Sequence, residues 1–302
     1  MKTPVATITK CLEKVTASGQ NSSAVFDDWL DVVHLSLQAL PRHLRAARSG
    51  QPLQDTPEVE QVFQRLHARY SHRDYWANFS AAFAALLEST DEWQDVIGQV
   101  YMDFGIPNKY SGQFFTPWSI ARCMAEMTMQ DIEERLHQRI KAAIEKDVFA
   151  QAVLITGQLC HDPQEAADWF FNRVLPAAAP FVDPITVSDC CCGSGVMLLA
   201  AASCTPRWAL DYGLVQFYGT DIDVTCVKMA TVNLMLYGLN GFHLKCALEL
   251  SQAELAALPQ PHAEAYVEAQ LARQENDDQR FEQIALDLRQ YRQTSLFELV
   301  SP

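Results

Sequence analysis

The chain has 302 residues, 49% of them hydrophobic, which suits one large domain or two modest ones and excludes wholesale disorder. Its net charge of −14 argues against unaided binding to duplex DNA, which needs a basic face. No apolar run approaches the roughly 20 residues of a membrane span. The N-terminal "MKTPVATITKCLEKV" lacks the apolar core of a signal peptide, so a cytoplasmic protein with no membrane partner is expected.

Residues 1–91 read as a helical N-terminal domain. In "SAVFDDWLDVVHLSLQAL", Val25, Trp29, Val32, Val33, Leu37 and Leu40 share one helical face, and Pro41 is expected to stop the helix. "EVEQVFQRLHARY" and "YWANFSAAFAALLEST" predict two more helices, the second with Trp76, Phe79, Phe83 and Leu86 as a core stripe. "DEWQDVIGQVYMDFG" predicts a helix ending at Gly105. After a polar turn, Thr116 is expected to cap, and Pro117 to open, the helix continuing "WSIARCMAEMT". In "DIEERLHQRIKAAIEKD", Ile132, Leu136, Ile140 and Ile144 recur every four residues on a charged background. With "PQEAADWFFNRVL" this stretch forms a helical insertion, residues 131–180.

Beyond "PAAAPFVDP" the period changes. "ITVSD" and "VQFYGTD" read as strands and "FHLKCAL" as a third, with helices "GVMLLAAASC" and "VTCVKMATVNLMLYG" between them. Strand, helix, strand, helix, strand is the start of a parallel α/β sheet. Residues 249–302 read as a helical, acidic C-terminal segment, whose run "RQENDDQRFEQ" is a solvated helix face or a docking surface for a basic partner.

Nine cysteines without a secretory signal point to reduced thiols. Cys190, Cys191 and Cys192 are adjacent rather than spaced Cys-x2-Cys, and neighbours on a strand point in opposite directions, so no metal site is expected. The turn that follows is more informative. A strand ending at Asp189, then Gly193-Ser194-Gly195, then a helix, allows close approach of backbone to a nucleotide cofactor. The second strand ends "FYGTDID", where Asp221 could accept both hydroxyls of a ribose. Alternatively, the glycines only shape a turn and Asp221 only caps the next helix.

"VSDCCCGSGVMLL" resembles the Asp-Pro-x-Cys-Gly-Ser-Gly motif of N6-adenine DNA methyltransferases, and most closely that of the modification subunits of type I restriction systems. "GQFFTP" resembles that family's Gly-x-Phe-x-Thr-Pro motif, and "YGTDIDVTCVKMATVNLMLYGL" its next segment. The likeness spans roughly residues 92 to 248 and departs from the motif at Cys190, where the family has Pro. It implies a Rossmann-like S-adenosylmethionine-dependent methyltransferase core in residues 92–302, of class α/β. Gly193, Ser194 and Gly195 would pass under the methionine portion and Asp189 would face its end. Asp221 would hold the ribose with Ile222 beside it, and Thr116 and Pro117 would close over the cofactor.

The same resemblance exposes a gap. The family orients the target amine with Asp/Asn-Pro-Pro-Tyr/Phe, whose oxygens accept from N6 and whose ring stacks on the flipped base. These 302 residues contain no Pro-Pro pair; the nearest fragment is "SLFELVSP", and "LKCAL" lacks an acid often found after the third strand. Three strands stand against the seven of a complete family sheet, so the sheet is expected to be incomplete unless C-terminal helices or a partner cover its edge. No catalytic residue is assigned. The expected function is that of an S-adenosylmethionine-binding homologue, inactive alone or completed by a partner such as a specificity or methylase subunit through which it meets DNA. The alternative is a non-catalytic interaction or regulatory protein of a DNA modification, defence or anti-defence system. A small-molecule methyltransferase is disfavoured by "GQFFTP".

Overall fold

The computed structural model describes residues 3–17, 19–49, 56–70, 75–105 and 115–240. The expected third strand and the segment 249–302 lie outside the described residues, as does "GQF" ahead of Phe115. The described residues are mostly helical and carry a two-stranded sheet. They divide into two compact units, one drawn from Met1–Ala47, Gln51–Ile132 and Thr186–Glu249, the other from Arg48–Gly50 and Glu133–Ile185. The N-terminal helices thus share a unit with the glycine turn.

In the first unit, α1 (Pro4–Thr16) starts where Thr3 Oγ1 accepts the N–H of Ala6 at 3.3 Å and Pro4 occupies the first turn, where its missing donor costs nothing. α2 (Ser22–Ser49) starts where Asn21 Oδ1 accepts the N–H of Ala24 at 2.7 Å. It buries Val25, Phe26, Trp29, Leu30, Val33 and Leu37. Pro41 does not stop it; the helix continues to Ser49. An interior proline removes a single backbone donor, and the buried face ahead of it holds the turns that a lone proline would otherwise break. α3 (Pro57–Arg69) and α4 (Tyr75–Glu88) follow. Phe79 and Leu86 of the expected stripe are buried and Phe83 packs against the core, but Trp76 is 43% exposed. Tyr75 takes the inward position instead, stacked on Tyr70 at 4.9 Å, while Trp76 leans edge-on against Phe63.

α5 (Val96–Asp103) is shorter than the predicted helix, because Asp95 turns its carboxylate onto the Gly98 N–H as a cap. Gly105, at φ +70°, lies two residues past its end. α6 (Trp118–Thr128) has Pro117 in the capping position and no side-chain cap. The expected cap by Thr116 is therefore not formed: Pro117 is extended at ψ 142°, which moves the helix start one residue on.

The second unit holds most of α7 (Ile132–Lys146), with Ile132, Leu136, Ile140 and Ile144 buried as the four-residue spacing predicts. α8 (Val148–Gly157) is capped by Asp147. α9 (Pro163–Trp169) runs through a wide π-turn at Phe170–Val174 into α10 (Leu175–Ala178). Gly157 is required there, since a Cβ would collide with the indole of Trp169, whose Nε1 donates to the Val153 carbonyl at 2.9 Å.

The sheet comprises β1 (Ile185–Asp189) and, after α11 (Val196–Ser203) and α12 (Arg207–Asp211), β2 (Val215–Gly219). Thr220 N–H donates to the Asp189 carbonyl at 2.9 Å and Cys192 N–H to the Thr220 carbonyl at 3.0 Å, so both strands end side by side and the pair is parallel. On the other edge of β2, the Asn240 carboxamide accepts from Phe217 N–H at 2.7 Å and donates to the Phe217 carbonyl at 2.6 Å.

α13 (Val224–Leu236) follows β2, capped by Asp223. Its Cys226, Met229, Val232 and Met235 join one buried core with α1, α2, α4 and α5. A polar seam runs beside that core. Asp31 of α2 pairs with Lys228 of α13, and with Arg65 of α3 at 2.7 Å. Asp27 accepts the Thr225 hydroxyl at 2.9 Å. Asp28, 2% exposed, takes Arg69 at 2.6 Å and the Tyr70 hydroxyl at 2.8 Å. A carboxylate this buried stands only because its lone pairs are met by charged and hydroxyl donors.

Candidate functional site

The site is built where the two strands end. Asp189 closes β1, and its Oδ1 accepts the N–H of Cys191 at 3.0 Å, which turns the chain across the sheet end. Gly193 and Gly195 then take φ +52° and +84°, a region that disfavours side chains. Space makes the same demand: a Cβ on Gly193 would lie 3.0 Å from the Phe115 ring, and one on Gly195 would lie 3.1 Å from Cα and Cβ of Ala230. Helix α11 starts directly after them.

Asp221 faces this turn from the end of β2. Its Oδ2 accepts the Gly193 N–H at 2.9 Å and its Oδ1 the Asp223 N–H at 2.9 Å. Capping of α13 falls to Asp223, which accepts the Thr225 N–H at 2.9 Å, so Asp221 is not the cap. Ile222 between them is 100% exposed.

The three cysteines divide by environment. Cys190 and Cys191 are exposed, whereas Cys192 is buried against Gly219, where a Cβ would lie 2.9 Å from its Sγ. Burial, followed by the charges of Asp221 and Asp189, pushes the Cys192 thiol up to about 11. Among the described residues no group of three or more His, Cys, Asp or Glu is placed to hold a metal ion.

Phe115 brings the next two residues to the turn. Thr116 and Pro117 line a cavity of about 240 Å³ together with Gly98, Met102, Trp118 and Val196, and with Asp95. The structure thus gathers Asp189, Gly193, Ser194, Gly195, Asp221 and Ile222 at the strand ends, with Thr116 and Pro117 on the neighbouring cavity wall.

Residues 171–282, which contain this strand–turn–helix–strand–helix unit, match the family model described as N-6 DNA Methylase. For that segment the match supports an N6-adenine DNA methylase family. Comparisons with curated proteins and with solved structures returned no match. Among the described residues no helix is long and apolar enough to cross a membrane.

Within the matched segment, Ser194 behaves differently from its neighbours. It is fully buried, and its hydroxyl donates to Asp95, far upstream in sequence. Asn233 of α13 donates to the same carboxylate at 2.9 Å and to the Ser194 carbonyl at 2.8 Å. Asp95, Gly98, Phe115 and Asn233 escaped the sequence reading. The available signals were Asp95-x-x-Gly98 at a helix start and the asparagine of "VNLMLYG", neither of which reveals a partner about a hundred residues away.

Proposed function

We propose that the chain is an N6-adenine DNA methyltransferase homologue with a Rossmann-like core that binds S-adenosylmethionine and needs residues from a partner to methylate DNA. The observation that carries this reading is the Asp221 carboxylate bound to the N–H of Gly193, at the end of a parallel strand pair inside the family-matched segment.

The residues present fit the cofactor. Gly193 and Gly195 take positive φ with no side chain to obstruct a ligand, so backbone can run beneath a methionine chain, with Asp189 at its end. Each Asp221 oxygen accepts one bond within the protein and keeps acceptor capacity for the ribose hydroxyls. Ile222 offers an exposed apolar face for the base, and Thr116 and Pro117 would close over the ligand. When bound, the cofactor supplies an electrophilic methyl group.

The other half of the chemistry must come from outside these residues. An adenine amine is a weak nucleophile while its lone pair is conjugated with the ring, and oxygen acceptors on N6 relieve that. The 302 residues have no Pro-Pro pair to present such acceptors. A net charge of −14 likewise favours DNA contact through a partner, a specificity or second methylase subunit, in the cytoplasm.

The test has two arms. Calorimetry with S-adenosylmethionine should show stoichiometric binding; none at millimolar ligand removes the cofactor reading. Tritiated methyl transfer into unmethylated plasmid should need the neighbouring gene products. Activity from the chain alone would overturn partner dependence. Binding with no transfer under any pairing would favour a non-catalytic regulatory role.

A further inference from the structure

We infer that Asp95 is a positioning residue for the cofactor turn: a buried carboxylate that pins Ser194, and through it the Gly193–Gly195 backbone, into its ligand-receiving conformation. The inference rests on the S-adenosylmethionine reading and assigns a role to residues outside the strand ends.

Asp95 is 4% exposed and takes three donors. Its Oδ1 accepts Gly98 N–H at 2.9 Å and Asn233 Nδ2 at 2.9 Å, and its Oδ2 accepts the Ser194 hydroxyl. Asn233 also donates to the Ser194 carbonyl at 2.8 Å, so Ser194 is held at both its side chain and its main chain. Asp95, Ser194 and Asn233 form a closed triangle across three elements: the start of α5, the glycine turn and α13. Gly98 makes room for it, since a Cβ there would collide with the Asp95 carboxylate and lie 2.7 Å from Ser194 Oγ.

The carboxylate is itself fixed from behind. Tyr237, near the end of α13, accepts the Gln94 N–H at 3.1 Å through its hydroxyl, which also lies 2.9 Å from the Glu92 carbonyl. Trp93 stacks on the same ring at 4.6 Å. The stretch leading to Asp95 is therefore clamped to the helix that supplies Asn233. Burial holds the Asp95 carboxyl above its ordinary range, opposed by the Ser194 hydroxyl, the Gly98 N–H and Asn233.

A general stability role would not need the turn as its target, and this gives the test. Amide hydrogen exchange in the ligand-free protein is followed at Gly193 and Gly195, whose N–H groups bond Asp221 and the Cys192 carbonyl. S-adenosylmethionine affinity is measured in parallel. For Asp95→Ala, exchange at the two glycines should rise about tenfold and affinity fall about tenfold, the scale of one lost charge-assisted bond. Protection along α1 and α2 should persist. Asp95→Asn, which keeps an acceptor for Gly98 and Asn233, should restore both readouts to within about threefold. Ser194→Ala removes only the hydroxyl and carries the test if Asp95→Ala does not fold.

Unchanged glycine exchange in folded Asp95→Ala or Ser194→Ala would overturn the proposal, as would loosening spread evenly over α1 and α2. If the wild type binds no S-adenosylmethionine, the cofactor reading fails, whereas the exchange arm still decides whether Asp95 pins the turn.

Discussion

Asp221 holds the N–H of Gly193 across the ends of two parallel strands, at 2.9 Å. One carboxylate therefore organises the turn and faces the proposed ribose position. Replacing Asp221 with Ala should weaken S-adenosylmethionine binding by about 1 to 3 kcal/mol, the range for losing a charge-assisted hydrogen bond. Isothermal titration reads this directly; unaltered affinity would place the ribose elsewhere.

Gly195 combines φ +84° with a Cβ position 3.1 Å from Ala230. Gly195→Ala should therefore destabilise the fold by about 1 to 2 kcal/mol from the left-handed backbone alone, with crowding against α13 added. Urea unfolding monitored by circular dichroism should show a lower midpoint. An unchanged midpoint would mean that the turn relaxes without cost.

Asp27 is half-buried, and burial, opposed by the Thr225 hydroxyl and Lys228, holds its carboxyl pKa above 3.8. A raised carboxyl pKa means that the folded state binds the proton more tightly than the unfolded state. This group favours folding most below pH 3.8, and that contribution is lost as pH rises through its folded pKa. Asp27→Asn keeps an acceptor for Thr225 and removes the buried charge. It should raise the thermal midpoint at pH 7 and give little gain near pH 4. A gain at pH 4 equal to that at pH 7 would contradict the ionisation argument.

Thiol labelling should separate the cysteine run. Burial pushes Cys226 up to about 12 and Cys192 up to about 11, so neither forms thiolate at pH 8, whereas Cys123 and Cys190 are exposed. Alkylation followed by peptide mass mapping should mark Cys123 and Cys190 in the native protein, and Cys192 and Cys226 only on unfolding. Early labelling of Cys192 would show that the turn opens.

The strands and helices around the turn were legible because their signals are local. "ITVSD" and "VQFYG" are short β-rich runs bounded by turn residues, and the stripe of α7 repeats with a helical period. The errors lie where tertiary contacts override local rules. Pro41 reads as a stop, yet the packed face before it carries the helix on. Trp76 continues the spacing of Phe79 and Phe83, yet at the first turn of α4 the inward place goes to Tyr75. Asp95 sits in a stretch that reads as helix interior, and its role depends on Ser194 and Asn233, which sequence alone cannot place beside it.

Asn240 gives β2 an unusual border. Successive residues of a strand direct their backbone groups to opposite edges, and Thr220 faces β1, so Phe217 faces away from it. The Asn240 amide satisfies both groups of Phe217 at once, as a one-residue imitation of a neighbouring strand. Among the described residues, Asn240 thus takes up both the donor and the acceptor that the central residue of this five-residue strand directs away from β1.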